Sequence, residues 1–411
     1  RMQNACVGRF LLPDCKRKSN HEGLGSSLTF HRATVAYALL FNLTITSEPL
    51  IVGHGLGAAA HSWLGLDRGA HCSRCSGARL QADGAMRRHA VDEVVDWGDA
   101  AGGGELRDAA AGRPRSRSFG EAAARLAGEG SIVLELRGCP RLTVPLAGGL
   151  ADRTEDAIRH GFELSRRLRG SVPLPWADRP ATELQVAVHY RAGDLVTSLP
   201  AHDGPALPPR LQQALSLAPP PHGAAPPAFA FDTRAGGRLL LLSYVLAALR
   251  AIRAALPRGA PLRLHLFAEG RPAWFEPLAE QLPGLQLHLT PPDGPPEQSL
   301  EHLHALTSAD VFLLGGGAFS ELAASLGRAA AVKLAPVNVW QGLPFRVPGA
   351  AVVHYPSGVL SAGAAEALRR LHAGRQRASQ HVQPATHQAS MLPARLPYSA
   401  TEPGENWATE L

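Results

Sequence analysis

The fold of this 411-residue chain is decided by the stretch Leu184-Gln185-Val186-Ala187-Val188-His189-Tyr190-Arg191-Ala192-Gly193-Asp194. The stretch starts with an apolar run and ends in polar residues and glycine, which is typical of a buried strand that leads into a loop. From there to residue 335 the sequence alternates between strand-like and helix-like segments, after one insertion at 200–229 that is dense in Pro and Ala. Such an alternation predicts a parallel, doubly wound α/β sheet.

The segments on both sides of this stretch give the order of elements. Strands are predicted at 184–191, 262–268, 285–290, 309–314 and 330–334, and helices at 239–256, 272–282, 300–308 and 320–326. Earlier in the chain, periodicity predicts a helix that ends near 40, strands at 43–52 and 131–136, and a helix at 151–169. Prolines at 173, 175 and 180 mark a boundary between a lobe of residues 1–180 and a lobe of residues 181–373. The polar, patternless residues 374–411 predict a disordered tail.

Composition and charge restrict the classes of function. Hydrophobic residues make up 45% of the chain, and the formal net charge is +6. The arginines are spread along the chain and form no runs, which argues against a nucleic-acid-binding arm and is compatible with a small anionic ligand. The best apolar run lies between Arg238 and Arg250 and is shorter than the roughly 20 residues of a spanning helix. Because the chain begins at Arg1, we expect any signal or membrane anchor to lie outside it.

Cysteine and histidine spacing gives little sign of a metal site. Cys72 and Cys75 have metal-like spacing and follow His71, but no second pair of ligands completes the set. We therefore expect a local disulfide or two plain thiols, and no metal. Asn42-Leu43-Thr44 is a glycosylation sequon, although a single sequon also arises by chance.

Three polar or glycine-rich stretches follow predicted strands. They are His189-Tyr190-Arg191-Ala192-Gly193-Asp194, Ala268-Glu269-Gly270 and Gly315-Gly316-Gly317-Ala318-Phe319-Ser320. In doubly wound sheets, ligands bind in the crevice beyond the carboxyl ends of the strands. We therefore expect the three stretches to converge on one cleft.

The first stretch resembles the HxRxGD signature of the fucosyltransferase superfamily, which includes the α1,6-fucosyltransferases and the protein O-fucosyltransferases. Residues 309–320, with an Ala-Asp start and a late Phe-Ser, are similar to a second motif of that family. So are residues 243–244 and 264–270, and the Glu22-Gly23-Leu24-Gly25 turn near the start. The likeness covers about 180 residues from Glu183 onward and residues 20–66.

The resemblance implies a GT-B-like fold, in which two Rossmann-like lobes face a central cleft. It implies metal-independent, inverting transfer of fucose from GDP-fucose to a glycan or protein acceptor, in the lumen of the Golgi or endoplasmic reticulum. Arg191 matches the family's motif arginine and would neutralise the departing diphosphate. Glu22 is the candidate general base, with Asp203 as the alternative, and the plainer interpretation of Glu22 is a solvated loop carboxylate.

The remaining candidate site residues each have a plainer interpretation. His189 would donate to the nucleotide or only shape the strand end, and Gly193 would admit a phosphate or only make a turn. Asp194 would hold either Arg191 or the turn in place by hydrogen bonds. The glycine-rich turn before a helix would bind phosphate or only allow close packing. The other residues assigned to the donor site are Glu269, which would hold ribose or base or only be solvated, and Asp310, which would bind the base or cap a strand. Gly317 and Ser320 of the glycine-rich turn are assigned to the diphosphate, and Phe319 belongs to the same motif.

Departures from the family pattern keep two alternatives open. Ala192 stands where many α1,6-type members have a second arginine, and Gly317 and Ala318 replace family serines. These losses favour a catalytically inactive member that binds glycans or partners. A nicotinamide-dependent oxidoreductase is disfavoured, because no GxGxxG follows the first strand of the sheet.

Overall fold

The structure is a computed structural model that describes residues 9–14, 31–36, 38–39, 42–46, 60, 62–65, 72–73, 87–91, 106–107, 114–115, 132–137, 149–168, 173–191, 212, 214–218, 240–290, 297–315, 317–328, 330–337 and 349–381. These residues form a mixed α/β protein with two separate sheets that are almost entirely parallel, and a small two-stranded ribbon.

The first sheet is built from residues before 138. Its strands are β1 (Arg9–Asp14), β2 (Thr44–Thr46), β3 (Cys72–Ser73), β4 (Arg87–Val91) and β7 (Ile132–Arg137), in the order β3-β2-β1-β7-β4. All four pairings are parallel. Strands β5 (Leu106–Arg107) and β6 (Pro114–Arg115) pair with each other in antiparallel fashion. The strands predicted near 45 and 131–136 are confirmed, whereas β1 and β4 were not predicted.

The second sheet is built from residues after 183. Its strands are β8 (Leu184–Tyr190), β9 (Leu262–Glu269), β10 (Leu285–Thr290), β11 (Val311–Leu313), β12 (Val332–Val337), β13 (Ala351–His354) and β14 (Val359–Leu360), in the order β10-β9-β8-β11-β12-β13-β14. Only β14 runs antiparallel to its neighbour. The parallel alternation predicted from the sequence for 184–335 is therefore confirmed.

Helices cover both faces of the second sheet. They are α2 (Leu242–Ala255), α3 (Glu276–Gln281), α4 (Glu297–Ser308), α5 (Ala318–Leu326) and α6 (Ala362–His381), and the preceding helix α1 is Gly149–Leu168. Successive residues of β8 point to opposite faces. Val186 and Val188 pack in a core with residues of α2, α3 and α6. Ala187 packs in a second core with residues of α4 and α5.

Helix α1 joins the early residues of the chain to α5. Gly65 has a φ of 71° and lies against Gly161, so that a Cβ on Gly161 would stand 2.9 Å from the carbonyl oxygen of Gly65. The Trp63 and Phe162 rings have centroids 5.4 Å apart. Arg159 on the same helix donates from Nε to the carbonyl oxygen of Ser325 at 3.3 Å. One helix thus packs against residues from both halves of the sequence.

The C-terminal helix corrects one prediction. Helix α6 runs to His381, so residues 374–381 are helical and the predicted disordered tail is wrong over those positions. Leu368 of α6 is fully buried in the core of the second sheet, and Arg375 pairs with Asp310. These tertiary contacts stabilise a segment whose own sequence has little apolar periodicity. Residues 382–411 lie outside the described part of the chain.

Two glycines inside helices test the packing of α1. We expect Gly161→Ala to lower the free energy of unfolding by about 1–3 kcal/mol, because the added methyl group meets backbone that cannot move aside cheaply. Gly374→Ala in α6 is the matched control, since no atom lies within 4 Å of the added Cβ. It should raise the free energy of unfolding by about 0.5–1 kcal/mol. Denaturant unfolding measures both changes, and a stabilising Gly161→Ala would contradict the packing at α1.

Candidate functional site

The strand order of the second sheet reverses beside β8. The chain proceeds outward from β8 through β9 to β10, and then returns by way of α4 to β11, on the other side of β8. Both neighbours are parallel to β8. In open α/β sheets such a reversal leaves a crevice at the carboxyl ends of the two strands, where ligands bind. The candidate site is therefore the edge where β8 and β11 end.

Arg191 lies at this edge. It follows the last residue of β8 directly and is half-buried. Its guanidinium lies against Gly317, because a Cβ built on Gly317 would stand 2.8 Å from Nη1 of Arg191. Gly317 immediately precedes α5 and has a φ of 106°. Residues that carry a side chain rarely adopt this backbone angle. The structure thus brings together the first and third of the sequence stretches that were expected to converge.

Gly315 serves the plainer purpose of close packing. A Cβ at this position would stand 2.1 Å from the carbonyl oxygen of His189 and 3.3 Å from its Nδ1. Because the obstacle is backbone, no rotation of a side chain would make room. Of the two interpretations of the glycine-rich turn, close approach of two chain segments therefore applies to Gly315.

His189 and Ser320 form a buried pair behind the edge. The His189 Nδ1 and Ser320 Oγ atoms are 2.6 Å apart, and the Phe319 ring packs on the imidazole with centroids separated by 4.9 Å. Ser320 is fully buried and His189 is 7% exposed. This corrects the assignment of the Ser320 hydroxyl to a phosphate, because the hydroxyl faces His189 from within the core. His189 shapes the end of β8, which was the second of its two interpretations.

Glu269 lies at the same edge as Arg191. It is the last residue of β9, whose register places Ala268 opposite Tyr190, and it is half-buried. Adjacent strands are separated by about 4.8 Å. Glu269 is therefore one strand away from the Arg191 position. Phe319, on the first turn of α5, is half-buried and covers His189.

Asp310 lies at the opposite edge of the sheet, and its assignment to the donor site is wrong. It precedes β11, and its Oδ2 accepts a hydrogen bond from the backbone N–H of Gln185 near the start of β8. Its carboxylate also pairs with Arg179 at 2.6 Å and with Arg375. The length of β8, seven residues at about 3.3 Å each, separates this edge from Arg191. The alternative, that Asp310 caps a strand, describes its contacts.

Several predicted site residues lie outside the described part of the chain. They are Glu22, Gly193 and Asp194. The alternative base Asp203 also lies outside it, as do Ala192 and Cys75. Cys72 lies in β3 and Asn42 has a positive φ of 52° in the turn before β2.

A row of histidines under Trp176 was not predicted. His265 Nε2 lies 2.8 Å from Oε1 of Gln185, and its Nδ1 lies 3.0 Å from Nε2 of His288. Trp176 covers His265 with ring centroids 4.7 Å apart. His302 on α4 completes the row by packing its ring edge-on against Phe267. His265 and His288 alternate with apolar residues in β9 and β10, as in any strand, so the sequence carries no sign that the two histidines meet.

Within the described ranges, no cluster of three or more His, Cys, Asp or Glu side chains is placed to hold a metal ion. The helices among those residues also include none that is both long and apolar enough to cross a membrane.

Comparison with known proteins finds a likeness among solved structures. No family model and no curated protein matches the chain. Among solved structures, the chain is similar to that of a mutant of Arabidopsis thaliana FUT1 in complex with GDP, with 10% sequence identity and a TM-score of 0.34. The match covers 82% of this chain and 72% of the other. A TM-score of this size does not define a fold family, so the GT-B-like arrangement stays a prediction.

The histidine row makes stability depend on pH. Burial and the neighbouring His288, Arg263 and Arg179 lower the pKa of His265 to about 3, and burial with His288 lowers that of His302 to about 4. The unfolded chain takes up protons near pH 6.5 and the folded one does not, so the contribution to stability is full above that pH and lost as the pH falls. We expect the free energy of unfolding to be lower at pH 5 than at pH 7 by on the order of 2 kcal/mol.

Variants separate this effect from general acid destabilisation. His302→Gln should reduce the difference between pH 5 and pH 7, whereas His354→Gln, at an exposed position on β13, should leave it unchanged. Denaturant unfolding at the two pH values measures the difference. If the difference in the free energy of unfolding between pH 5 and pH 7 is the same in both variants, the histidine row does not set the pH dependence.

Proposed function

We propose that the chain is a glycosyltransferase of GT-B-like arrangement that transfers fucose from GDP-fucose to a glycan or protein acceptor, with inversion and without a metal. The observation that carries the proposal is the position of the Arg191 guanidinium on the Gly317 turn, where the strand order reverses. The sequence motif that begins at His189 supports the same assignment. Luminal residence in the secretory pathway is part of the proposal and follows from the sequence resemblance.

The chemistry requires positive charge at the leaving group. As the bond from the sugar to the diphosphate breaks, negative charge grows on the β-phosphate and the sugar becomes oxocarbenium-like. A guanidinium can donate two parallel N–H bonds to phosphate oxygens and so stabilise that charge. Helix α5 begins at the same edge, and the amino-terminal end of a helix carries a partial positive charge. The N–H groups of Ser320 and Glu321 in its first turn donate to the carbonyl oxygen of Gly317. Arg191 and the start of α5 together would bind the diphosphate.

The glycine at 317 is consistent with this role for Arg191. A serine at that position would place its Cβ where the guanidinium lies and would adopt a strained φ. In this chain, therefore, a hydroxyl at 317 and the observed arginine position exclude each other. We infer that Arg191 supplies the contact that family serines would otherwise provide.

A second candidate function is binding without transfer. The full burial of Ser320, with no hydroxyl at Gly317 or Ala318, favours it, because the turn then offers only backbone groups to a diphosphate. Such a protein would bind a glycan or a partner and leave GDP-fucose intact. Release of fucose from GDP-fucose, followed with and without acceptors, separates the two candidates.

We expect Arg191→Ala to weaken GDP binding by about 10- to 100-fold, because it removes charge-assisted hydrogen bonds to the diphosphate. Isothermal titration with GDP measures the change. Arg253→Ala is the matched control, since Arg253 is exposed in the last turn of α2 and the substitution removes the same charge elsewhere. GDP affinity that is the same in Arg191→Ala as in the unaltered chain would remove the central residue of the proposal.

The proposed general base gives a separate test. We expect Glu22→Gln to lower the turnover of GDP-fucose by about 10²- to 10⁴-fold and to leave GDP affinity unchanged, because a base acts on the acceptor hydroxyl and does not hold the donor. Asp203→Asn is the paired variant for the alternative base. Loss of turnover in Asp203→Asn alone would transfer the role to that residue, and full turnover in both variants would exclude the two.

A further inference from the structure

The turn after β9 places a tryptophan at the carboxyl edge of the second sheet. Strand β9 ends at Glu269, and Trp274 is the last residue of the short 3-10 helix Pro272–Trp274 that follows. In the parallel register of β8 and β9, Glu269 is the neighbour of the Arg191 position. The tryptophan therefore follows the strand next to the one that leads into the proposed diphosphate site.

Packing on both sides of the turn fixes the position of Trp274. Its six-membered ring lies against Gly270, since a Cβ built on Gly270 would stand 2.6 Å from Cε3 and 2.7 Å from Cζ3 of the indole. The N–H of Gly270 donates to the carbonyl oxygen of Thr290 at 3.1 Å, which ties this backbone to the end of β10. Phe275, the next residue after the tryptophan, is fully buried and meets the Tyr190 ring edge-on with centroids 5.5 Å apart. The turn is thus anchored to the ends of three strands.

Trp274 keeps part of its ring at the surface. Among the described aromatic residues at these strand ends, Tyr190, Phe275 and Tyr355 are at most 4% exposed, whereas Trp274 is half-buried. Phe319 is half-buried as well, but its ring packs on the buried histidine of β8. An aromatic face that is open at the ligand-binding edge of a sheet is a surface on which a flat ring can stack.

The position suits the base of a nucleotide whose diphosphate lies at Arg191. The Arg191 guanidinium lies against the Gly317 turn, which follows β11 on one side of β8, and β9 lies on the other side. Adjacent strands are about 4.8 Å apart, so the tips of β11 and β9 are separated by about 10 Å. A nucleoside diphosphate laid across these tips would have its phosphates at the Gly317 turn and its base over the end of β9.

We propose that Trp274 is the platform on which the nucleobase of the donor stacks. The inference rests on the proposed function, because it takes the position of the diphosphate at Arg191 as given. Every base has a π face, so stacking favours a nucleoside diphosphate over a bare diphosphate and leaves the choice among bases to hydrogen-bonding groups.

The binding of GDP and of inorganic pyrophosphate to the full chain tests the proposal, because pyrophosphate carries the diphosphate without the base. We expect Trp274→Ala to weaken GDP binding by about 5- to 100-fold and to leave the affinity for pyrophosphate unchanged. Trp274→Phe should restore most of the GDP affinity, since it keeps an aromatic face, whereas Trp274→Leu keeps only apolar bulk and should not. Isothermal titration measures both affinities.

A matched control and a spectroscopic signal accompany these variants. Trp63 is also half-buried, but it packs against Phe162 of α1, so Trp63→Phe should bind GDP as the unaltered chain does. GDP should quench tryptophan fluorescence in the unaltered chain and in Trp63→Phe, and the quenching should be smaller in Trp274→Phe. A change of fold alone would not produce this difference between the two Trp→Phe variants.

The possible results separate this inference from the proposed function. GDP affinity that is the same in Trp274→Ala as in the unaltered chain would overturn the inference and leave the proposed function standing. Equal weakening of GDP and pyrophosphate in Trp274→Ala would show that the tryptophan only supports the fold at this edge, and would overturn the inference as well. An unaltered chain that binds no GDP would refute the proposed function and this inference together, before any substitution is made.

Discussion

Strand β8 is buried on both faces and hydrogen-bonded along both edges, and the rest of the second sheet is arranged around it. Its seven residues are all buried, with β9 on one side and β11 on the other. A strand in this position has no exposed edge or face, so it offers functional groups only at its two ends. The chain runs outward from β8 through β9 and β10 on one side and then returns to β11 on the other side. The strand order therefore reverses beside β8. The candidate site lies at the carboxyl end of this strand, and the buried Asp310 lies at its amino end.

At the carboxyl end, the site depends on glycine more than on polar side chains. Gly315 allows the β11 end to touch the His189 backbone, and Gly317 leaves room for Arg191. The polar residues His189 and Ser320 are turned inward and satisfy each other. Among the described residues, this edge presents the Arg191 guanidinium, the start of α5 and, one strand away, the Glu269 carboxylate. The guanidinium and the helix start suit a phosphate-bearing ligand.

At the amino end, a buried acid organises the surroundings. An isolated carboxylate at 4% exposure would be strongly destabilised by the loss of water. Asp310 is tolerated there because Arg179, Arg375 and the Gln185 N–H contact it directly. Its contacts connect the segment before β8, the C-terminal helix and β11. Removing one partner from such a buried pair lowers the free energy of unfolding by more than the intact pair contributes to it.

The two edges also explain which site assignments failed. Residues at the carboxyl end of a strand, such as Arg191 and Glu269, were correctly expected at one edge, because parallel strands end on the same side. Asp310 precedes its strand, and that position alone places it at the other edge, so the signal for excluding it was present in the sequence. Ser320 gave no such signal, since only the rotation of α5 against β8 decides whether its hydroxyl faces a ligand or His189.

The sequence by itself determined the alternation of strands and helices after residue 184, because apolar periodicity and turn residues are local properties. It also determined the chemical character of the strand ends. Only the tertiary structure decided the strand order, the helix at 374–381, the histidine row and the pairing of Asp310 with Arg179 and Arg375. Each of these depends on contacts between residues far apart in the chain, and no local pattern records which distant side chains meet.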